Sequence, residues 1–224
     1  ETLFRSAVAV VPNNAKAHAG LAYQLMKKPS EEAKQRALHA LRTALRIYPD
    51  YFHADVHVLW NLSVLLYQLG RRAESLQVLE RAAGADPAWG TLQYLLALAY
   101  SREGEGAKAE QAWRGALALS PDVPLFPAMF SRFLIEHQRY AEGLAAAEAA
   151  LKQHPEHVLA LFNRALALDG LERLDEAIVA YEQVLALSSA PDRAKQDAKR
   201  RLTVLRGRRS VQGMADHGCA GTAC

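Results

Sequence analysis

The sequence predicts an all-α protein: a right-handed α-solenoid of antiparallel helix pairs, closed by a C-terminal capping helix. Three observations carry this. Prolines recur at Pro12, Pro49, Pro87, Pro121 and Pro155, in steps of 37, 38, 34 and 34 residues. Each ends an Ala/Leu-rich stretch, and proline does not continue a helix comfortably. Between the prolines, small and large apolar residues return at matching offsets, as paired helices require. Half of the 224 residues are hydrophobic and 23% are charged, which allows a sizeable core and argues against a disordered chain.

The cleanest unit runs from Gly90 to Pro121. With Pro121 as position 32, Leu96, Ala97, Tyr100, Gly104, Ala109, Trp113 and Ala116 fall at positions 7, 8, 11, 15, 20, 24 and 27. Small residues let two helices approach, and large ones fill the space between turns. The other units repeat the pattern. The first carries Leu21, Ala22, Leu25, Ala37, Leu41 and Ala44, and the second Leu62, Ser63, Leu66, Gly70, Ser75, Leu79 and Ala82. The fourth carries Phe130, Ser131, Leu134, Tyr140, Gly143, Ala147 and Ala150, and the fifth Ala165, Leu168, Ala177 and Tyr181. This pattern resembles the tetratricopeptide repeat (TPR), whose period is about 34 residues.

The organisation predicted is a solenoid over 1–206 and a disordered, aperiodic tail over 207–224. Residues 1–12 are the end of a truncated repeat. Complete repeats span about 13–49, 50–87, 88–121, 122–155 and 156–190, and a solvating cap helix spans 191–206. The first repeat has three extra residues, read as one more turn in its second helix, opened by Ser30 as cap with Glu31 and Glu32 behind it. The second has about four extra residues near Tyr51-Phe52-His53-Ala54. The sequence opens on Glu1 within a helical pattern, which is read as a piece of a longer protein.

The TPR resemblance implies a concave groove lined by the first helix of each pair. Its register places Tyr23, Lys27, Trp60, Val64, Tyr67, Gln68, Tyr94, Leu98, Arg102, Arg132, Ile135, Glu136 and Phe162 there. Aromatics beside arginine suit a protein or peptide partner. Each such aromatic either meets a ligand or packs between neighbouring helices. A chaperone-type carboxylate clamp is not supported, because Ala19 and Tyr23 occupy two of its positions. An asparagine ladder is not supported either, since only Asn61 and Asn163 qualify.

Weaker signals receive structural readings. His53 and His57, with Asp55, have zinc-like spacing but lack further ligands. His217, Cys219 and Cys224 sit in the predicted tail, and the body of the chain has no cysteine for a disulfide framework. Lys195, Lys199, Arg200, Arg201, Arg206, Arg208 and Arg209 form a basic run without interleaved aromatics, read as a solvated cap rather than a nucleic-acid surface. Asn61-Leu62-Ser63 is a glycosylation sequon whose serine falls at a buried mid-helix position, so it is expected to stay unmodified. No catalytic motif and no cofactor site is found.

One stretch goes beyond generic TPR. Glu1-Thr2-Leu3-Phe4-Arg5-Ser6, Val11-Pro12-Asn13-Asn14-Ala15-Lys16-Ala17-His18 and Tyr48-Pro49-Asp50-Tyr51 resemble the opening of the TPR region in the transmembrane and tetratricopeptide-repeat-containing family. That resemblance implies a lumenal endoplasmic-reticulum arm of a dolichyl-phosphate-mannose-dependent O-mannosyltransferase. It implies cadherin-like acceptor domains as partners, with catalysis and membrane attachment in a preceding membrane part. The other reading is a stand-alone TPR scaffold or co-chaperone, cytoplasmic and unconnected to sugar transfer.

Overall fold

A computed structural model describes residues 2–48 and 56–219, and the side chains of these residues other than 56, 85 and 211–219. Among the described residues there are twelve helices and no strand. They are α1 (Thr2–Val10), α2 (Ala15–Met26), α3 (Glu31–Ile47), α4 (Val56–Gln68), α5 (Arg72–Ala85) and α6 (Gly90–Glu103). There follow α7 (Gly106–Leu119), α8 (Leu125–Glu136), α9 (Tyr140–Gln153), α10 (Val158–Gly170), α11 (Leu174–Ala186) and α12 (Asp192–Cys219). None of them is long and apolar enough to cross a membrane.

The chain divides into two compact units, Glu1–Ser120 and Pro121–Cys224. The first holds α1, then the pairs α2/α3, α4/α5 and α6/α7. The second holds α8/α9 and α10/α11, with α12 packed on α11. Connections of two or three residues within most pairs force the partners antiparallel.

The pairs close through small side chains. Positions 8 and 20 are Ala22 and Ala37, Ser63 and Ser75, Ala97 and Ala109, and Ala165 and Ala177, and all eight are buried. In the fourth repeat they are Ser131 and Gly143, where a Cβ on Gly143 would stand 2.8 Å from Ile135 Cγ1. Two of the three serines at these positions send their hydroxyl across the pair. Ser75 Oγ donates to the Ser63 carbonyl at 2.7 Å, and Ser131 Oγ donates to the Gly143 carbonyl at 2.6 Å. A buried hydroxyl is thereby satisfied without widening the contact. At position 27, Ala44, Ala82, Ala116, Ala150 and Val184 are fully buried.

The turns also repeat. Gly70, Gly104, Gln138 and Glu172 take the left-handed conformation, with φ of 75°, 78°, 61° and 59°. They stand at position 15 of successive repeats. Glycine adopts this region freely, whereas Gln138 and Glu172 carry a Cβ penalty. The second helix of three pairs then opens on the same ion pair. Arg71, Arg139 and Arg173 each present two guanidinium nitrogens to Glu74, Glu142 and Glu176 three residues on. Glu74 and Glu176 are held below the usual carboxylate range, chiefly by those hydrogen bonds.

The long first repeat behaves as its sequence suggests. Helix α3 has 17 residues, where the other second helices have 13 or 14. Ser30 caps it, accepting from Ala33 N at 3.2 Å. The extra residues of the second repeat, with His53 and Asp55, lie outside the described residues.

The C-terminal helix departs from expectation. The cap helix was expected to end at 206, yet α12 runs on to Cys219. Just past 206, ion pairs rather than apolar residues tie the helix to the last repeat. Arg208 donates to Asp169 and Glu172, both at 2.6 Å, and Arg209 stands 2.6 Å from Asp175. The side chains of His217 and Cys219, and residue Cys224, fall outside what is described.

Three outcomes follow from these contacts. Ala109→Trp overpacks the α6/α7 crossing and lowers stability by about 1–3 kcal/mol in a denaturant titration. Gln138→Gly relieves the left-handed turn and raises the melting temperature, by up to about 1 kcal/mol of stability. The third concerns His157, which caps α10 by accepting from Ala160 N at 3.3 Å through Nδ1. Only an imidazole unprotonated at Nδ1 can accept. Burial pushes its pKa below the ordinary value of about 6.5, and His154 adds to the shift. A folded pKa below the unfolded one means that the native state binds fewer protons. The contribution is therefore complete above about pH 6.5 and lost as pH falls through the lowered value. Melting curves between pH 7 and pH 5 should show this loss, and His157→Asn, a cap that does not titrate there, should lessen it.

Candidate functional site

The first helices of the pairs present the candidate residues, and each unit gathers a subset. In the Glu1–Ser120 unit, a cavity of about 460 Å³ lies among α1, α2 and α4. Tyr23 and Trp60 line it with Phe4, Lys16, His57 and Asn61. Lys27 sits over the Tyr23 ring at 4.5 Å. Trp60 meets Trp89 edge-on at 6.0 Å, and His57 meets Trp89 at 4.8 Å. The Trp60 Nε1 donor is buried without a partner among the described residues.

A smaller cavity of about 100 Å³ in the same unit collects Val64, Tyr67, Leu98 and Arg102. The Arg102 guanidinium covers the Tyr67 ring at 4.6 Å, a cation–π contact. Gln68 stands exposed at the end of α4. Tyr94 packs edge-on against buried Trp113 at 5.6 Å. It is half-buried, and desolvation pushes its phenol up.

In the Pro121–Cys224 unit, α8, α10 and α12 form a trough of about 520 Å³. Arg132, Ile135 and Glu136 come from α8, and Phe162, Leu166 and Asp169 from α10. Arg132 Nε donates to Glu136 Oε1 at 2.7 Å. A more apolar extension of about 390 Å³ shares Arg132, Phe162 and Asp197, and reaches Val158, Leu159 and Pro191. Phe162 stands edge-on to Tyr181 at 5.6 Å. Asn163, which the ladder test singled out, is fully buried and donates to the Ala128 carbonyl at 2.7 Å, so it ties α10 to α8.

The third wall of this trough was not anticipated. Asp197, Arg200, Arg201 and Val204 of α12 form it. The sequence reading made α12 a solvating cap, and the signal it passed over is the i, i+3, i+4, i+7 spacing of these four residues, which places them on one face. Three of the seven residues of the basic run stand within 2.7 Å of neighbouring acids. Arg206 pairs with Glu182 at 2.7 Å, besides the Arg208 and Arg209 pairs described above.

The sequon serine, Ser63, is buried and donates to the Trp60 carbonyl at 2.7 Å. Among the described residues, no group of three or more His, Cys, Asp or Glu is placed to hold a metal ion.

Comparison with known proteins agrees with this architecture. A tetratricopeptide-repeat family model matches residues 32–88, 61–124 and 130–195. No curated protein matches the chain. Among solved structures, MamA is 17% identical with a TM-score of 0.68, covering 79% of this chain and 98% of its own. YrrB, described as a TPR protein with an unusual peptide-binding site, is 18% identical with a TM-score of 0.68, covering 88% and 97%. A tetratricopeptide-repeat protein from Parabacteroides merdae is 18% identical with a TM-score of 0.74, covering 90% and 77%. These likenesses carry the fold, and the matched repeats, which span well over half of the sequence, establish that the chain belongs to the tetratricopeptide-repeat family.

Proposed function

We propose that the chain is a protein-interaction scaffold that holds a peptide segment of a partner on the first-helix face of its pairs. The observation that carries this is the trough between α8, α10 and α12. It offers an apolar floor of Phe162, Leu166 and Ile135 within a rim of charged side chains, the composition of a peptide site. The peptide-binding site named for YrrB, a neighbour in fold, is in keeping with it.

The narrower reading, an arm of an O-mannosyltransferase in the endoplasmic-reticulum lumen, draws on the opening residues and on Tyr48-Pro49-Asp50-Tyr51, of which 49–51 lie outside the described residues. Two of the opening residues, Asn14 and His18, have local roles in this chain. Asn14 caps α2, accepting from Ala17 N at 3.0 Å, and His18 Nε2 lies 2.9 Å from the Pro12 carbonyl. Any chain with this helix junction could use the same residues, so the scaffold reading has the broader support.

Peptides selected on the purified chain from a random library provide the test. Phe162→Ala should weaken their binding by about 2 kcal/mol, roughly thirtyfold, if Phe162 is an anchor. Val179→Ser, at a half-exposed position on the second helix α11, should leave binding unchanged. Failure of the library to yield binders, or equal affinity for all three proteins, counts against the proposal.

A further inference from the structure

The charges around the α8/α10/α12 trough are unequally satisfied. Glu136 takes Arg132 at 2.7 Å. Asp169, with only 14% of its side chain exposed, takes Arg208 at 2.6 Å, and Arg208 gives its other terminal nitrogen to Glu172. Arg208 does not line the trough, so it consumes the trough's best-buried acid from outside. Arg201 is left 3.6 Å from Asp169, and Arg200 stands 3.9 Å from Asp197. Charge-assisted hydrogen bonds are about 2.7–2.9 Å long, so both distances are loose. Arg201 and Arg200 both line the trough from α12, with 53% and 73% of their side chains exposed. Each retains donors for an incoming acceptor.

Behind the apolar floor lies a second unmet group. Tyr181 is fully buried against Phe162, and its hydroxyl has no hydrogen-bond partner among the described residues. Arg201, Asp169 and Arg132 all act on that phenol electrostatically. The trough thus combines spare cationic donors, a buried polar group without a partner and an apolar floor.

We propose that the trough selects an acidic–apolar segment of a partner protein, with a Glu or Asp carboxylate held by Arg200 and Arg201 and an adjoining large apolar side chain seated on Phe162 and Leu166. This rests on the peptide-binding reading above and adds its chemistry. Exposed ion pairs contribute little in open water. Here the apolar neighbour covers the trough and excludes water, which strengthens the carboxylate–guanidinium contact. Arg208 is a positioning residue. By satisfying Asp169 it keeps Arg201 from closing onto that acid.

The test uses the full chain and three labelled peptides of equal length, alternating Leu with Glu, with Gln or with Lys, measured by fluorescence anisotropy. The Glu peptide should bind at least about tenfold more tightly than the Gln peptide, and the Lys peptide weakest. Arg200→Gln combined with Arg201→Gln should erase that preference while keeping the affinity for the Gln peptide. Arg208→Gln, at a residue that contacts Asp169 but does not itself line the trough, should narrow it by releasing Asp169 to Arg201. Equal affinity for the Glu and Gln peptides, tightest binding of the Lys peptide, or a preference that survives the double variant overturns the inference. The arms separate two failures. If Phe162→Ala weakens all three peptides and no charge preference exists, only this inference falls. If none of the peptides binds, or Phe162→Ala changes nothing, the peptide-binding reading falls with it.

Discussion

The closeness of two helices at positions 8 and 20 is the constraint from which the remaining geometry follows. Alanine, serine or glycine at these sites brings the backbones near enough for large residues at neighbouring positions to interlock. Trp113, Tyr181 and Leu134 can then be almost wholly buried. The hydroxyls of Ser75 and Ser131 show how tight the contact is, since each reaches a carbonyl of the opposite helix. A wider crossing would strand them. The spacing also fixes which side of each first helix is left for a partner, because one side is committed to its own second helix.

The fold was legible because its cause is local and recurs. Pro87, Pro121 and Pro155 mark ends, and Ala97 and Ala109 mark crossings, and neither needs knowledge of distant residues. The turn register was half legible. Gly70 and Gly104 announce a left-handed residue, whereas Gln138 and Glu172 occupy the same conformation without a glycine to signal it. There the surrounding pair dictates the backbone and overrides local preference. The Arg-x-x-Glu spacing at Arg71, Arg139 and Arg173 was present in the sequence as a fourth repeating mark.

The site was less legible, because its walls come from elements far apart in sequence. Residues 132, 162 and 201 meet only through the stacking of three helices. A register argument names Arg132 and Phe162, since it treats every repeat alike. It cannot name Arg200 or Arg201, which belong to a helix outside the repeat. Tyr94 shows the opposite limit. Its register position equals that of Phe162, and each ring stands edge-on at 5.6 Å to the large residue at position 24 of its own repeat, so register alone does not separate packing from binding.

The double hold of Arg208 on Asp169 and Glu172 bears on how fragments of this protein behave. Apolar periodicity alone invites a cut after residue 206, where Leu202 and Leu205 have completed the buried stripe. Such a trimmed version would keep every core contact described for α12 and melt as a cooperative unit. It would nevertheless lose two arginines and leave Asp169, Glu172 and Asp175 without those partners. Its surface there would turn anionic, and binding measured on it would describe a differently charged molecule.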